Sequence, residues 1–218
     1  MRWLLKKILG LPLLVGFMNC LFILFSPNAF WTLTTLLSLC SINAFLCIDI
    51  VIRPVSTKQD QYPRIVPILA FLALPLILWL PYLEAMNFIS FLLPPPFLIC
   101  MATLGLFVLF IGGILGLVSR IQLGYFGGPK IVIEEHHRLV TTGMYRYIRH
   151  PQYLAFLLLF FGYTVSLGSL FLTLTITLAL FLIFRSRMNL EEELLTETFG
   201  ATYSQYKKRT KRLIPFIY

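Results

Sequence analysis

Charged residues are scarce in this chain of 218 residues, where Asp, Glu, Lys and Arg together make up 12% and only nine residues are acidic. Hydrophobic residues make up 58% of the chain, and the mean hydropathy is +0.84. Soluble globular domains carry about 25% charged residues. The composition therefore excludes an ordinary soluble domain and indicates a protein embedded in a membrane.

Possible metal ligands are also few, with four cysteines and three histidines in the whole chain. The cysteines lie inside hydrophobic runs without the paired spacing of a metal site, so we expect them to be buried as small hydrophobic side chains. They are Cys20, Cys40, Cys47 and Cys100. His136 and His137 follow Glu134 and Glu135, but this spacing is not that of a zinc site. We therefore expect no metal.

Six hydrophobic stretches are long enough, or nearly so, for a transmembrane helix, which needs about 20 apolar residues. They are residues 8–25, 29–50, 65–83, 97–119, 152–167 and 169–185. The last two are short and are separated only by residues 166–169, which predicts a tight helical hairpin with little tilt or an incomplete span. The predicted fold is an all-α, polytopic membrane helix bundle of about six transmembrane helices.

The distribution of basic residues predicts the orientation of this bundle. All eighteen Lys and Arg residues fall in four clusters, at residues 2–7, 53–64, 120–149 and from 185 onward. With six spans these clusters lie on one face of the membrane, and the positive-inside rule places them, with both termini, in the cytoplasm. The net charge of +9 then fits anionic lipid headgroups better than nucleic acid.

The two parts of the chain differ in character. Residues 1–118 are almost wholly hydrophobic and are predicted to form an N-terminal scaffold of transmembrane helices. Within it, Asp49 precedes Arg53 by four residues, which predicts a local ion pair. Glycines and a proline break the helix after Arg120. Residues 119–218 are predicted to form the catalytic region, with a cofactor pocket that faces the cytoplasm.

A first polar block, residues 137–153, stands between two hydrophobic stretches. Proline disfavours a helical conformation of the preceding residue, so His150 should be extended and Pro151 should begin a helix. The free N–H groups of a helix N-terminus suit a carboxylate or a phosphate. The alternative is an ordinary interfacial helix start, with Arg149 at the lipid headgroups and Tyr153 in the aromatic belt.

A second polar block, residues 185–193, contains Arg187 and Glu191, which are four residues apart and share a face if the helix continues. They could form a simple ion pair, or they could bind an anionic substrate and a cationic cofactor. Three consecutive glutamates, residues 191–193, repel one another unless positive charge lies nearby. Gly200 is predicted to end the helix, and the basic tail that follows is predicted to anchor the chain at an anionic membrane surface.

Together these blocks resemble the isoprenylcysteine carboxyl methyltransferases over residues 130–217. The matching pattern is His137-x-Leu-Val-Thr-x-Gly-x-Tyr-x-x-x-Arg-His-Pro-x-Tyr153, then Arg187-x-x-x-Glu191, then Phe199-Gly-x-x-Tyr-x-x-Tyr-Lys-Lys-Arg209. The Arg-His-Pro core is shared more widely with phospholipid methyltransferases and membrane sterol reductases, whereas the tail is most similar to the carboxyl methyltransferase branch.

The resemblance implies an S-adenosylmethionine pocket, with Glu191 holding the cofactor from one side. The other implied cofactor residues are His137, Arg138, Leu139, Val140, Tyr145, His150, Pro151, Gln152 and Tyr153. Arg187 matches the arginine assigned to the substrate carboxylate, so Arg187 and Glu191 are the expected catalytic pair.

The expected function is S-adenosylmethionine-dependent methylation of the carboxylate of a prenylcysteine or a similar lipophilic acid. The expected partners are this substrate and membrane lipids, in the plasma membrane of a microbe or in an endomembrane. Three alternatives remain open: a phospholipid amine methyltransferase, an NADPH-dependent sterol-type reductase, and a non-enzymatic scaffold or transporter. The sequence leaves the oligomeric state open.

Overall fold

The structure, a computed structural model, describes residues 2–26, 32–52, 63, 65–89, 92–126, 131–133 and 138–214. These residues form helices α1 (Arg2–Phe25), α2 (Leu33–Ile52), α3 (Ile65–Glu84), α4 (Pro95–Leu123), α5 (Pro151–Ser166), α6 (Phe171–Phe199) and α7 (Ala201–Arg209). A π-helical turn, Ala85–Ile89, extends α3. The described residues contain no β-strand, only one isolated bridge between Ile148 and Lys211. The all-α prediction is confirmed.

Four helical segments are long and apolar enough to cross a membrane: Leu33–Ile52, Phe71–Ile89, Pro95–Leu123 and Phe171–Phe199. Two further apolar helices, Gly10–Phe25 and Pro151–Ser166, are shorter. At a rise of about 1.5 Å per residue, a helix of 16 residues such as α5 is roughly 24 Å long, less than the hydrocarbon core of a bilayer. The chain is therefore an integral membrane helix bundle with four candidate spans among the described residues, and a total of six stays a prediction.

Helices α4 and α5 pack closely because glycines line their interface. A β-carbon built on Gly112 would lie 2.5 Å from the backbone nitrogen of Leu159, and one on Gly162 would lie 2.3 Å from that of Leu109. Membrane helices commonly use small residues in this way to bring their backbones together. This packing fixes the N-terminal end of α5 beside the C-terminal end of α4.

The larger of two apolar clusters among the described residues forms the interior of the bundle. It contains Met18, Phe22, Leu39, Ile42, Leu78, Leu109, Leu159, Phe160 and Tyr163. The Tyr163 hydroxyl donates a 2.7 Å hydrogen bond to the Leu78 carbonyl, which satisfies the buried polar group at the end of its ring. Many large apolar side chains instead face outward, among them Leu104 and Phe107, as lipid contact requires.

The hairpin between α5 and α6 is tight, as predicted, with Gly168 at φ 81°. Helix α6 is much longer than the hydrophobic stretch suggests, since it continues through the second polar block to Phe199. Gly200, at φ 53°, ends it, as predicted. Of the two helices predicted to be short, α5 has 16 residues and is short, whereas α6 has 29 residues and is not.

Glu84, on α3, caps the N-terminus of α6. Its carboxylate accepts hydrogen bonds from the Ser169 hydroxyl at 2.5 Å and from the N–H groups of Leu170, Phe171 and Leu172 at 3.0, 2.8 and 2.8 Å. These donors include first-turn groups that have no partner within their own helix. The contact fastens α6 to α3 at the end of the bundle away from the polar blocks.

The cysteines only partly follow the expectation of burial. All four are free, with Cys20 and Cys47 half-buried and Cys40 and Cys100 exposed. Burial is therefore wrong for Cys40 and Cys100. Because both lie in membrane-spanning helices, their surroundings on the outer face of the bundle are lipid, which suits a small apolar side chain as well as a protein interior does.

Candidate active site

Asp49 pairs with an arginine on another helix. Its Oδ1 lies 2.8 Å from Nε of Arg120, and both side chains are buried. Asp49 therefore bridges α2 and α4. Arg53 lies outside the described residues, so the predicted local pair of Asp49 with Arg53 stays a prediction. Gln152 donates to the same Asp49 oxygen at 3.4 Å and accepts from the Ser119 hydroxyl at 3.2 Å.

A 3₁₀ turn, Gly143–Arg146, leads toward α5 and buries Tyr145. Gln122 holds this turn by accepting a hydrogen bond from the Met144 N–H at 2.9 Å. The Tyr145 hydroxyl lies 3.5 Å from the Ser119 carbonyl. Burial, and next the charge of Glu191, raise the pKa of Tyr145 well above its usual range. The phenol therefore stays protonated and remains a hydrogen-bond donor.

Pro151 is the first residue of α5, as predicted. His150 before it is non-helical, but the prediction that it is extended is wrong, since its backbone lies at φ −125° and ψ 56°. The imidazole is only 3% exposed, and its Nε2 lies 3.1 Å from Oε1 of Glu192. The His150 N–H donates to the Arg212 carbonyl at 3.0 Å, so the C-terminal segment is paired with this helix start.

Glu192 is the centre of a charge cluster that joins three parts of the chain. Besides His150, its carboxylate lies 3.0 Å from Nε of Arg149, 3.2 Å from Nζ of Lys207 and 3.2 Å from Nε of Arg212. The side chain is 9% exposed. The interfacial alternative for Arg149 is wrong, because this side chain points inward and binds Glu192 and not lipid headgroups.

Tyr153 connects the two predicted catalytic residues. Its hydroxyl donates to Oε2 of Glu191 at 3.0 Å and lies within hydrogen-bonding reach of the Arg187 side chain. Its ring packs between His150 and Phe184, with centroid distances of 5.6 and 5.1 Å. Tyr153 therefore faces the protein interior and not an aromatic belt, and Arg187 and Glu191 share a face of α6, as their spacing predicts.

Glu191 has both a buried contact and access to solvent. Its side chain is 34% exposed, and its Oε2 lies 3.9 Å from Nδ1 of His150. A partly open carboxylate beside the Arg187 guanidinium gives neighbouring sites for a cation and an anion. This arrangement suits a ligand that carries both charges.

The remaining predicted cofactor residues do not converge on one point. Gln152 faces Asp49, on a different side of the first turn of α5 from Tyr153, which faces Glu191. Arg138 is exposed, and Leu139 and Val140 are half-buried in a segment without regular secondary structure. His137 lies outside the described residues. The assignment of these residues to a cofactor stays a prediction.

Sequence reasoning missed the residues that join α7 and the tail to the site. They are Arg149, Glu192, Tyr203, Tyr206, Lys207 and Arg212. The Tyr206 hydroxyl, for example, donates to the Tyr145 carbonyl at 2.6 Å. One signal was present, because three consecutive glutamates need positive charge nearby. The sequence does not show that this positive charge belongs to residues 149, 207 and 212, or that all three form ion pairs with Glu192.

A small, partly open apolar pocket lies between α2, α4 and α5, with a cavity volume of about 20 Å³. Its lining includes Phe45, Leu46, Gly112, Gly116, Phe156 and Leu159. Asp49 and Gln152 are also part of its wall and give it one polar end, toward the start of α5. Among the described residues, no group of three or more His, Cys, Asp or Glu side chains is placed to hold a metal ion.

The chain is similar to known methyltransferases in sequence. Residues 100–202 match the family model for phospholipid methyltransferase. The chain is 41% identical over 81 residues to the protein-S-isoprenylcysteine O-methyltransferase of Schizosaccharomyces pombe, which covers 37% of this chain and 34% of that protein. It is 34% identical over 115 residues to protein-S-isoprenylcysteine O-methyltransferase B of Arabidopsis thaliana, which covers 52% of this chain and 58% of that protein.

The chain therefore spans 34% and 58% of the lengths of these two relatives. The fold is similar over a greater extent. A solved structure of the eukaryotic intramembrane Ras methyltransferase, an isoprenylcysteine carboxyl methyltransferase, matches with a TM-score of 0.67 and 22% identity, over 97% of this chain and 75% of that one. The resemblance to the isoprenylcysteine carboxyl methyltransferases, which the sequence motifs indicate, is confirmed.

Proposed function

We propose that this chain is an integral membrane methyltransferase that uses S-adenosylmethionine to methylate the carboxylate of a prenylcysteine or a similar lipophilic acid. The observation that carries the proposal is the meeting of Arg187, Glu191 and Tyr153 at the start of α5, where a polar site adjoins apolar helices. The similarity to protein-S-isoprenylcysteine O-methyltransferases supports the same reaction class.

The donor set of the site fits this cofactor. When bound, S-adenosylmethionine supplies an electrophilic methyl group on a sulfonium, and its amino-acid part carries an ammonium and a carboxylate. Glu191 is a partly exposed anion that would hold positive charge. Tyr153 fixes the Glu191 side chain through its 3.0 Å hydrogen bond, and the N-terminus of α5 would receive negative charge. The cofactor role of residues 137–140, Tyr145 and Gln152 remains part of this proposal.

Arg187 would bind and orient the substrate carboxylate. An α-carboxyl group has a pKa of about 3.5 and is an anion at neutral pH, so its methylation needs no general base. The task of the protein is then to align an oxygen with the methyl group and to exclude water. Alignment of two reactants is worth about 7–11 kcal/mol. A planar guanidinium suits this because it fixes the plane of a carboxylate.

The apolar pocket between α2, α4 and α5 is the proposed point of entry of the lipid chain, which would have to part these helices because the pocket has room for little more than a water molecule. Its walls are hydrophobic side chains and glycines, and its polar end, at Asp49 and Gln152, lies toward the start of α5. A prenyl chain could enter from the bilayer between helices while the cofactor arrives from water. This position would bring the carboxylate to the end of the bundle that carries Arg187.

The topology proposal follows from the same arrangement. If the chain has the predicted six spans, the basic clusters at residues 2–7, 53–64, 120–149 and from 185 onward lie on one face of the membrane, and the positive-inside rule would put the site and both termini in the cytoplasm. The scaffold role of residues 1–118 and the catalytic role of residues 119–218 remain proposals. The location, in a microbial plasma membrane or in an endomembrane, also remains a proposal.

Methylation of a phospholipid amine is the second candidate, favoured by the family model that residues 100–202 match. That reaction needs a neutral amine and therefore a proton acceptor. From the sequence no buried base was evident. The structure supplies a candidate, since His150 is buried and contacts Glu192 at 3.1 Å.

One experiment separates the two reactions. The purified protein in lipid nanodiscs is given S-adenosylmethionine labelled in its methyl group, with either a farnesylcysteine analogue or phosphatidylethanolamine as acceptor. A carboxyl methyl ester releases labelled methanol in base, whereas an N-methyl group does not. The proposal predicts base-labile label with the farnesylcysteine analogue. Base-stable label on the phospholipid alone would establish the second candidate, and no label on either acceptor would contradict both.

A further inference from the structure

Tyr203, on α7, carries a buried hydroxyl that the fold itself does not use. The residue is 1% exposed, and within the described part of the chain its hydroxyl has no hydrogen-bond partner. Buried hydroxyl groups are normally satisfied, because leaving one unpaired is costly. An exception in a native structure calls for an explanation, and a bound ligand is one.

The surroundings of Tyr203 point toward the candidate active site. Tyr206, one turn later, donates to the Tyr145 carbonyl, and Lys207 binds Glu192 and lies 5.9 Å from the centre of the Tyr203 ring. Burial, followed by the charges of Glu192 and Glu191, raises the pKa of Tyr203 above its usual range. The phenol is thus held neutral beside the two glutamates, with a proton to donate and a lone pair to accept one.

From this geometry we infer that the Tyr203 hydroxyl is a binding group for the methyl donor at the candidate active site. The inference rests on the proposed function. It adds a residue from α7 to a site that the sequence motifs placed on the segment before α5 and on α6. The inference also assigns a function to the packing of α7 against the site, since the Glu192 cluster would then position the Tyr203 hydroxyl for ligand binding as well as hold the tail.

The test is the dissociation constant for S-adenosylhomocysteine, the product form of the cofactor, measured by isothermal titration calorimetry with the full chain in nanodiscs. Tyr203→Phe removes only the hydroxyl and keeps the ring. We expect its Kd to rise about tenfold, the worth of one good hydrogen bond. Its unfolding temperature without ligand should not fall, because no bond within the protein is lost.

Tyr206→Phe is the matched control, because its hydroxyl has a protein partner and its loss should lower the unfolding temperature of the ligand-free protein. Wild-type Kd in Tyr203→Phe, or a lower unfolding temperature without ligand, would overturn the inference and leave the proposed function standing. If the wild-type protein does not bind S-adenosylhomocysteine at all, the proposed function and the inference both fail.

Discussion

Oε1 of Glu192 lies 3.1 Å from Nε2 of His150, so the residue just before α5 is held by the C-terminal part of α6. Glu192 also contacts Arg149, Lys207 and Arg212. One carboxylate thus fastens the start of α5, the extension of α6 and the C-terminal segment to one another. Its neighbour Glu191 is left partly open at the same place. Glu192 therefore joins three parts of the fold, whereas Glu191 is left open for the cofactor role that we propose for it.

Replacement of Glu192 by glutamine should destabilise the protein. The change leaves three cationic side chains around a neutral amide, and a broken buried pair costs about 3 kcal/mol at the lower end of the range, which applies here because Lys207 is partly exposed. For a chain of this size the Tm should fall by roughly 6–12 °C. Thermal unfolding followed by intrinsic fluorescence measures this.

Glu193→Gln is the control for this prediction, because Glu193 is the next residue on the same helix and is exposed. Its Tm should stay at the wild-type value. Equal Tm values for the two variants would show that the charge cluster does not stabilise the fold.

Narrowing the apolar pocket should weaken the binding of the lipophilic acceptor and leave the binding of the cofactor unchanged. Gly116 lines the pocket, and a β-carbon there would lie 3.4 Å from the Ala155 β-carbon, an ordinary contact. Gly116→Val adds bulk at the pocket wall, and we expect it to raise the KM for a farnesylcysteine analogue at least tenfold. The Kd for S-adenosylhomocysteine should not change.

Gly16→Val, on α1, is the matched control, since Gly16 is not among the pocket residues and nothing lies within 4 Å of a β-carbon there. Its KM should match that of the wild type. If Gly116→Val also keeps the wild-type KM, the acceptor chain lies elsewhere.

Loss of the Glu84 cap should lower stability without a change in chemistry. Glu84→Ala removes the acceptor of the first N–H groups of α6, which costs about 2 kcal/mol for a strong helix cap. The Tm should fall by a few degrees, whereas the KM for the acceptor should stay constant. Glu197→Ala, at an exposed position near the other end of α6, should leave the Tm unchanged. A changed KM in Glu84→Ala would mean that this end of the bundle affects the site.

Local sequence signals predicted those features that depend on one helix alone. The apolar stretches predicted the helices, Pro151 predicted the start of α5, and Gly200 predicted the end of α6. The spacing of Arg187 and Glu191 predicted their common face, because residues four apart are neighbours on a helix. Each of these follows from backbone geometry within a few residues.

The sequence could not predict partners that meet through tertiary packing. Asp49 and Arg120 are 71 residues apart, so the local sequence around Asp49 does not indicate this contact. Successive residues on a helix point about 100° apart. Three consecutive glutamates therefore face three directions, and only the packing of α5 and α7 decides that Glu192 is buried and Glu193 is exposed.

We propose that Arg187 and Glu191 perform different tasks at one site. The Kd for S-adenosylhomocysteine and the turnover of a farnesylcysteine analogue, each measured on a variant of one of these residues, test this directly. We expect Glu191→Gln to raise the Kd for S-adenosylhomocysteine about tenfold, since a charged contact is lost. Arg187→Lys should keep that Kd and lose most of the turnover of a farnesylcysteine analogue. Wild-type turnover in Arg187→Lys, or an unchanged Kd in Glu191→Gln, would contradict the account.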